Sequence, residues 1–352
     1  MRQDRKVFEM KKLRVAQIGV LHEHSNGIMK TLRYQMSDIF DVVAIAPEEE
    51  DNMTNRHFPC YEGLNWVTMD EIFELPDLDA VFVETEMRQL VPVARRCLEH
   101  GLPIHIDKPG GENLEDYARL VQDFYDAGLL FQPGYMLRHS WGVNFMLNAV
   151  RKGWIGEVWE VDANMHRDEG SADFRNWFAE YHGGTMFNYA SHLIDVLLEL
   201  MGEPQGIHPY FRNTAGDKVN DTWVTLFTYP KAIATIHCSM CGIQGIPHRR
   251  FTIRGTKGTL ELFPLEQGYQ QPIGHPKFND IPVNVHMVLA EDNEEYKAGV
   301  YDLKIGPMND RFEDQLREFA DLLCSGRQNP KSAEYEITLQ KMILAASDYI
   351  KW

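Results

Sequence analysis

The stretch Leu13-Arg-Val-Ala-Gln-Ile-Gly-Val-Leu-His-Glu-His-Ser-Asn-Gly27 decides the reading of the fold. Its first eight residues are mostly apolar and β-prone, a short polar loop follows, and a helical pattern runs from about Ser25 to Ser37. A buried strand passing through a glycine into a helix opens a βαβ unit. The rhythm then repeats. Strands are expected at Val42–Ala46, Ala80–Glu84, Pro103–Asp107 and Leu129–Gln132. Helical stretches lie between them, near Met69–Glu74, up to His100 before Gly101, and from the N-cap Asn113 to Ala127. Strands separated by helices imply a parallel sheet covered on both faces, with right-handed crossovers.

After about Arg138 the texture changes. A helix near Trp141–Lys152 leads into alternating or β-rich segments at Val158–Met165, Thr222–Tyr229, Ala232–Met240, Arg250–Arg254 and Thr259–Phe263. Turn signals such as Tyr229-Pro230 and Gly255–Gly258 join them, so an antiparallel meander is expected. Helices at Asn309–Cys324 and Ala333–Lys351 close the chain. The expected fold is a doubly wound α/β domain over residues 1–138 and an α+β domain with a large open, mainly antiparallel sheet over 139–352. A substrate cleft is expected between them.

A chain of 352 residues exceeds what one hydrophobic core usually organises, which agrees with two domains. The five cysteines are scattered, and the charged opening Met1–Lys12 has no apolar run behind it, so a reducing cytoplasm is expected. No apolar run approaches the roughly 18 to 20 residues that a membrane span needs. A formal charge of -17, spread along the chain, repels phosphate backbones and argues against nucleic acid as a partner. A small neutral ligand fits better.

In a doubly wound sheet, ligands bind beyond the carboxyl ends of the strands, so the loops there are the first candidates. At Gly19–Gly27 a dinucleotide fingerprint would place glycines at 21 and 24, and this chain has Leu21 and His24. A side chain at Leu21 obstructs the close backbone approach that the second glycine allows. His22 and His24 form an H-x-H pair suited to phosphate contacts; as a metal site the pair lacks a third ligand, and no metal is expected. Cys238 and Cys241, at the end of an apolar strand with no second C-x-x-C, read as thiols rather than zinc ligands. After the second strand come Pro47 and the run Glu48-Glu-Glu-Asp51. Glu48 is the candidate for an adenosine ribose, and the acidic loop favours NAD over NADP.

The third loop is Asp107-Lys108-Pro109-Gly-Gly111. Proline holds Lys108 extended, aiming its ammonium off the sheet edge toward a substrate hydroxyl. In the second half, Gly183–Gly202 reads as one helix capped by Thr185, with Asn188, His192 and Asp195 along one face. Imidazoles titrate near neutrality, so His192 suits proton acceptance; Asn188 and Asp195 are read as substrate-binding, the alternative being a buried network in which Asp195 merely orients His192. Tyr135, Arg138, His166 and Trp177 are further candidates for a sugar-binding surface.

Taken together, the strand and loop at Gly19, Asp107-Lys108-Pro109, and Gly183-Gly184 followed by Asn188, His192 and Asp195 resemble the Gfo/Idh/MocA oxidoreductases, the glucose-fructose oxidoreductase and inositol dehydrogenase family. The resemblance implies a Rossmann-like first domain, an NAD or NADP cofactor, and hydride exchange with a hydroxyl carbon of a sugar, inositol or related polyol. Gly19, Leu21, His22, His24, Glu48, Lys108 and Pro109 would then face the cofactor. Lys108 would polarise the reacting oxygen and His192 would serve as acid/base. Leu21, Pro47 and Asn188, the last in place of an aspartate, depart from the family pattern. Those departures keep two alternatives open: a glycosidase or lyase that retains NAD and oxidises its sugar transiently, and a ligand sensor without turnover. The open sheet of the second domain implies a homodimer or homotetramer.

Overall fold

The computed structural model describes residues 11–48, 56–243, 245–266, 283–306 and 311–352. The opening through Met10, Glu49, Glu50 and Asp51 of the acidic run, and the expected helix start at Asn309 lie outside the described residues. The chain divides into two compact units, each made of three stretches: residues 1–107, 119–134 and 312–330 in the first, and 108–118, 135–311 and 331–352 in the second. A single cut after residue 138 therefore does not describe them.

The first unit holds the strands β1 (Leu13–Ile18), β2 (Phe40–Ala46), β3 (Ala80–Val83), β4 (Ile104–Ile106) and β5 (Phe131–Pro133), all parallel, in the order β2-β1-β3-β4-β5. Its helices are α1 (Ser25–Lys30, continued by a π turn over Thr31–Gln35), α2 (Met69–Phe73) and α3 (Leu90–Glu99), and most of α4 (Leu114–Asp126). The burial of all four β3 residues is what a sheet covered on both faces requires. A late helix, α9 (Glu313–Ser325), supplies Leu316, Phe319, Ala320 and Leu322 to the core formed by Val15, Ile28, Leu32 and Phe82. That apolar stripe explains why residues 312–330 belong to this unit and not to the second. The strand order reverses between β1 and β3, and such a switch point is where open α/β sheets receive ligands.

The second unit carries an eight-stranded sheet in the order β13-β12-β11-β10-β6-β9-β8-β7. Its strands are β6 (Val158–Asn164), β7 (Gly206–Arg212), β8 (Thr222–Thr228), β9 (Ile233–Ser239), β10 (Arg250–Gly255), β11 (Gly258–Leu262), β12 (Val283–Leu289) and β13 (Gly299–Gly306). The expected meander needs one correction: β6 and β9 pair in parallel, so the later strands add on either side of β6. Sequence reading also missed β7, β12 and β13. Alternate residues of β8 are buried, which makes the sheet one-sided, and the helices α5 (Trp141–Arg151), α7 (Gly184–Asn188) and α10 (Ala333–Ala346) pack against it.

The expected single helix at Gly183–Gly202 is two, α7 and α8 (Ser191–Met201), broken at Tyr189 and Ala190. Thr185 is not its cap. The turn into α7 is made by Gly184, with φ of +47°, where a Cβ would come within 2.3 Å of the Asn220 carbonyl.

Candidate functional site

At the switch point of the first unit, the loop after β1 has used its own amides. Glu48, just past β2, accepts hydrogen bonds from the backbone N–H groups of Val20 (3.1 Å) and Leu21 (2.9 Å), and from Glu86 (3.1 Å) beyond β3. The His22 amide donates to the Glu84 carbonyl (3.2 Å) and the Ser25 amide to the His22 carbonyl (3.1 Å). A nest that a glycine-rich loop offers to phosphate is here filled from within. Burial raises the Glu48 carboxyl above its ordinary range, and the Leu21, Val20 and Glu86 amides oppose that rise. Gly19 keeps one feature of the fingerprint. Its φ is +100°, and a Cβ there would lie 2.4 Å from the Thr85 nitrogen, so the strand-to-loop turn admits only glycine.

Beside Glu48 lies a cavity of about 420 Å³ lined by Pro47, Arg56, Trp66, Thr68 and Arg96 among others. The Arg56 guanidinium sits 4.0 Å from the centroid of the Trp66 ring, a close cation–π contact. Thr68 closes a capping box with Glu71 at the start of α2 and so fixes the cavity wall. A carboxylate with lone pairs left over, an indole plane and a guanidinium fit the adenosine end of a dinucleotide. The engaged loop amides do not fit its phosphates as they stand. Arg56 and Trp66 were missed in the sequence because they lie in a segment without regular strand or helix periodicity.

His22 and His24 do find a third group. Asp107, at the end of β4, places Oδ2 2.8 Å from His22 Nδ1 and 3.0 Å from His24 Nδ1, with all three residues buried. Burial by itself would raise the Asp107 carboxyl, but the two imidazoles outweigh it and hold the group well below the usual carboxylate range. Only the three-dimensional return of β4 to the same sheet, beside β3, brings Asp107 to His24, 83 residues away in sequence, and to His22.

The second unit gathers the remaining chemistry. Lys108 is buried in the turn after β4. Only 1% of it is exposed, and its Nζ donates to the Asn188 side-chain oxygen (2.8 Å) and to the Asn188 carbonyl (3.1 Å). The Lys108–Pro109 peptide is cis. The following turn is gripped by Gln340 of α10, which accepts from the Gly110 amide (3.1 Å) and donates to the Gly111 carbonyl (2.6 Å). His192, on the first turn of α8, is buried and meets the Tyr135 ring edge-on with centroids 6.0 Å apart. Asn188 ends α7, so the helix break sets Asn188 and His192 on two helices rather than along one stripe.

Asp195 is not placed to orient His192; its carboxylate is taken by Arg138. The guanidinium donates to Asp195 through Nε (3.0 and 3.1 Å) and through a terminal nitrogen (2.8 Å), and to Glu336 of α10 at 2.6 and 2.9 Å. The Tyr335 hydroxyl adds a bond to Asp195 (3.0 Å), and Arg138 also lies 4.8 Å from the centroid of the Tyr135 ring. A guanidinium forked between two buried carboxylates is a structural lock that leaves Arg138 and Asp195 little capacity for a sugar. Neither Glu336 nor Gln340 stood out in the sequence. The signal was available in their spacing, since Glu336 and Gln340 stand four apart in line with the apolar Leu339 and Ile343 on the buried face of α10.

Trp177 packs in an aromatic cluster with Phe174, Phe178 and Tyr181. His166 is half-buried, and burial, followed by the charges of His237, Arg249 and Arg250, lowers its pKa. Cys238 is buried and donates to the Met165 and Thr185 carbonyls, whereas Cys241 is exposed.

The chain thus holds a parallel α/β unit with a ligand-type switch point and a second unit in which a one-sided open sheet accompanies a buried lysine and a buried histidine. Residues 144–261 match the model of the GFO/IDH/MocA C-terminal domain. The chain is 22% identical over 263 residues to 2,7-anhydro-N-acetylneuraminate hydratase of Escherichia coli (strain K12), a match covering 72% of this chain and 68% of that protein. It is 21% identical over 311 residues to scyllo-inositol 2-dehydrogenase (NADP(+)) IolW of Bacillus subtilis (strain 168), covering 84% and 83%. Among solved structures, an oxidoreductase from Agrobacterium radiobacter in complex with NAD+, L-tartaric acid and magnesium superposes with a TM-score of 0.76 at 14% identity, covering 96% of each chain. Residues 144–261 thus match the C-terminal domain of the GFO/IDH/MocA family, and the solved structures share the fold of the chain. No helix among the described residues is long and apolar enough to cross a membrane.

Proposed function

We propose that this chain is an NAD(P)-dependent oxidoreductase acting on a hydroxyl carbon of a sugar, inositol or related polyol. The observation that carries the reading is Lys108: a buried ammonium, fixed by both oxygens of Asn188, in the same unit as the buried His192. A buried charge costs several kcal/mol unless it is compensated, so a lysine held this way has been placed for use. Relatives and solved structures named as dehydrogenases and oxidoreductases favour this reading over the transient-oxidation and sensor alternatives.

Glu48, Arg56 and Trp66 would hold the adenosine end of the dinucleotide. Glu48 suits ribose hydroxyls and Arg56 a 2′-phosphate, so NAD and NADP both stay in the proposal. A bound nicotinamide would supply the two-electron chemistry. Lys108 donates a hydrogen bond to the reacting oxygen and stabilises the negative charge that develops there. His192 takes the hydroxyl proton when the substrate is oxidised and returns it in the reverse direction. Asn188 is a positioning residue that sets the Lys108 ammonium, and Gln340 fixes the turn that carries it. The first unit is assigned cofactor binding and the second substrate binding. The exposed face of the sheet, with Ile233 and Val300 among threonines and charged residues, is assigned to a second copy of the chain, and the scattered cysteines support a cytoplasmic address.

The test is turnover on a panel of sugars, inositols and their keto forms with each dinucleotide. The wild type should turn over at least one of them. His192→Asn should cut kcat by about 10²–10⁴-fold with a folded protein, and an unchanged kcat would remove His192 from the chemistry.

A further inference from the structure

His22, His24 and Asp107 form a donor set to which the proposed function gives no step, although the family resemblance turned the two histidines toward the cofactor. We propose that they bind one divalent transition-metal ion per chain, in the class of zinc or cobalt. Among the described residues this is the group whose ligand atoms converge, all lying within 4.8 Å of one another. Both imidazole Nδ1 atoms face one carboxylate oxygen, at 2.8 and 3.0 Å. Two cis ligands of a metal at about 2.0–2.2 Å stand about 3 Å apart, so the present separations already match a shared coordination edge.

The three groups are held where they are by the backbone and by ring contacts. The Asp107 amide donates to the Val83 carbonyl (3.0 Å), which locks the carboxylate to the end of β3. The His22 amide is tied to Glu84, the His22 and His24 rings contact each other at 5.1 Å, and the Phe312 ring meets His24 edge-on at 5.5 Å. The His24 amide lies 3.2 Å from His22 Nδ1, a contact that a bound ion would replace. Two nitrogens and one carboxylate suit zinc, cobalt, nickel or ferrous iron and not magnesium or calcium, which prefer all-oxygen sites. Three protein ligands leave positions open, as catalytic rather than closed structural sites do. The ligand class for those positions is an anionic oxygen, since the ion adds positive charge to a loop whose amides are already engaged. The site stands on the geometry of the first unit alone and does not depend on the oxidoreductase reading.

The experiment is a titration of the chelator-stripped full chain with Co²⁺, following visible ligand-field absorption, and with Zn²⁺ by calorimetry. One equivalent per chain should bind, Zn²⁺ should displace Co²⁺, and His24→Gln and Asp107→Asn should each weaken binding by at least about 100-fold. Should either variant fail to fold, X-ray absorption on the cobalt-loaded wild type decides, because the proposal requires two imidazoles and no sulfur in the first shell. Absence of saturable binding at one equivalent would overturn it. So would affinity unchanged in both folded variants, or a first shell without imidazole.

Discussion

Two loops that leave parallel strands of the same sheet have been put to opposite use. The loop after β1 is closed on itself: its amides serve Glu48 and Glu84, and a Leu stands where close approach needs a glycine. The loop after β4 is held from outside: Asn188 grips Lys108 and Gln340 grips Gly110 and Gly111. The first has invested its backbone and the second offers a side chain. One loop can therefore present a held side chain while the other closes on its own polar partners.

The largest expected effect tests the lock behind the second loop. Arg138→Leu would leave Asp195 and Glu336 buried without their cation, and should cost about 3–5 kcal/mol in chemical denaturation. A loss under 1 kcal/mol would mean that the fork is not holding α8 and α10 together. Next comes Lys108→Met, which keeps the volume and removes the donor. It should lower kcat by about 10²–10³-fold, or about 2.7–4 kcal/mol, with the circular dichroism unchanged. If the variant keeps wild-type turnover, the second loop is not the reacting one and the comparison fails.

Gln340→Leu should destabilise by about 1–3 kcal/mol, since it strands the Gly110 amide and the Gly111 carbonyl inside the protein. It should also lower kcat more than it raises KM, because the position of Lys108 depends on that turn. A purely structural role would leave kcat of the folded fraction untouched. On the first loop, Glu48→Gln isolates one carboxyl. Burial raises its pKa in the folded protein above its ordinary value of 4.5, so the folded state binds the proton more tightly and this group's stability contribution falls as pH rises from about 4.5 through the raised value. Denaturation at stepped pH should show that decline in the wild type and a flatter curve in the variant. The smallest effect is Thr68→Ala, which removes one half of a capping box beside the cavity and should cost about 1 kcal/mol with kcat unchanged.

What could be read in the sequence follows from which features are local. Strand and helix periodicities located β1 to β5 to within a few residues, and Lys108, Asn188 and His192 stood out because polar residues in apolar or turn contexts are conspicuous. The partners of those residues were not legible. Asp107 joins His22 and His24 through sheet register, and Arg138 reaches Glu336 across 198 residues. Asp195 was given the wrong partner because helical spacing alone aligned it with His192, while the break at Tyr189 and Ala190 and the arrival of Arg138 are tertiary facts. β12 was missed although its residues alternate in burial, and β7 because Pro209 interrupts its pattern.

The central proposal is that the first unit binds a nicotinamide dinucleotide through the cavity beside Glu48, Arg56 and Trp66 although the amides of its first loop are engaged. The most direct measurement is a titration of the purified chain with NADH and NADPH by nicotinamide fluorescence, run in parallel on Lys108→Met after a check for retained cofactor. Saturable binding of at least one dinucleotide by both proteins, with turnover confined to the wild type, is the predicted result. Failure of the folded, cofactor-free wild type to bind either would contradict the account, leaving a family fold whose first loop has closed its phosphate site for good.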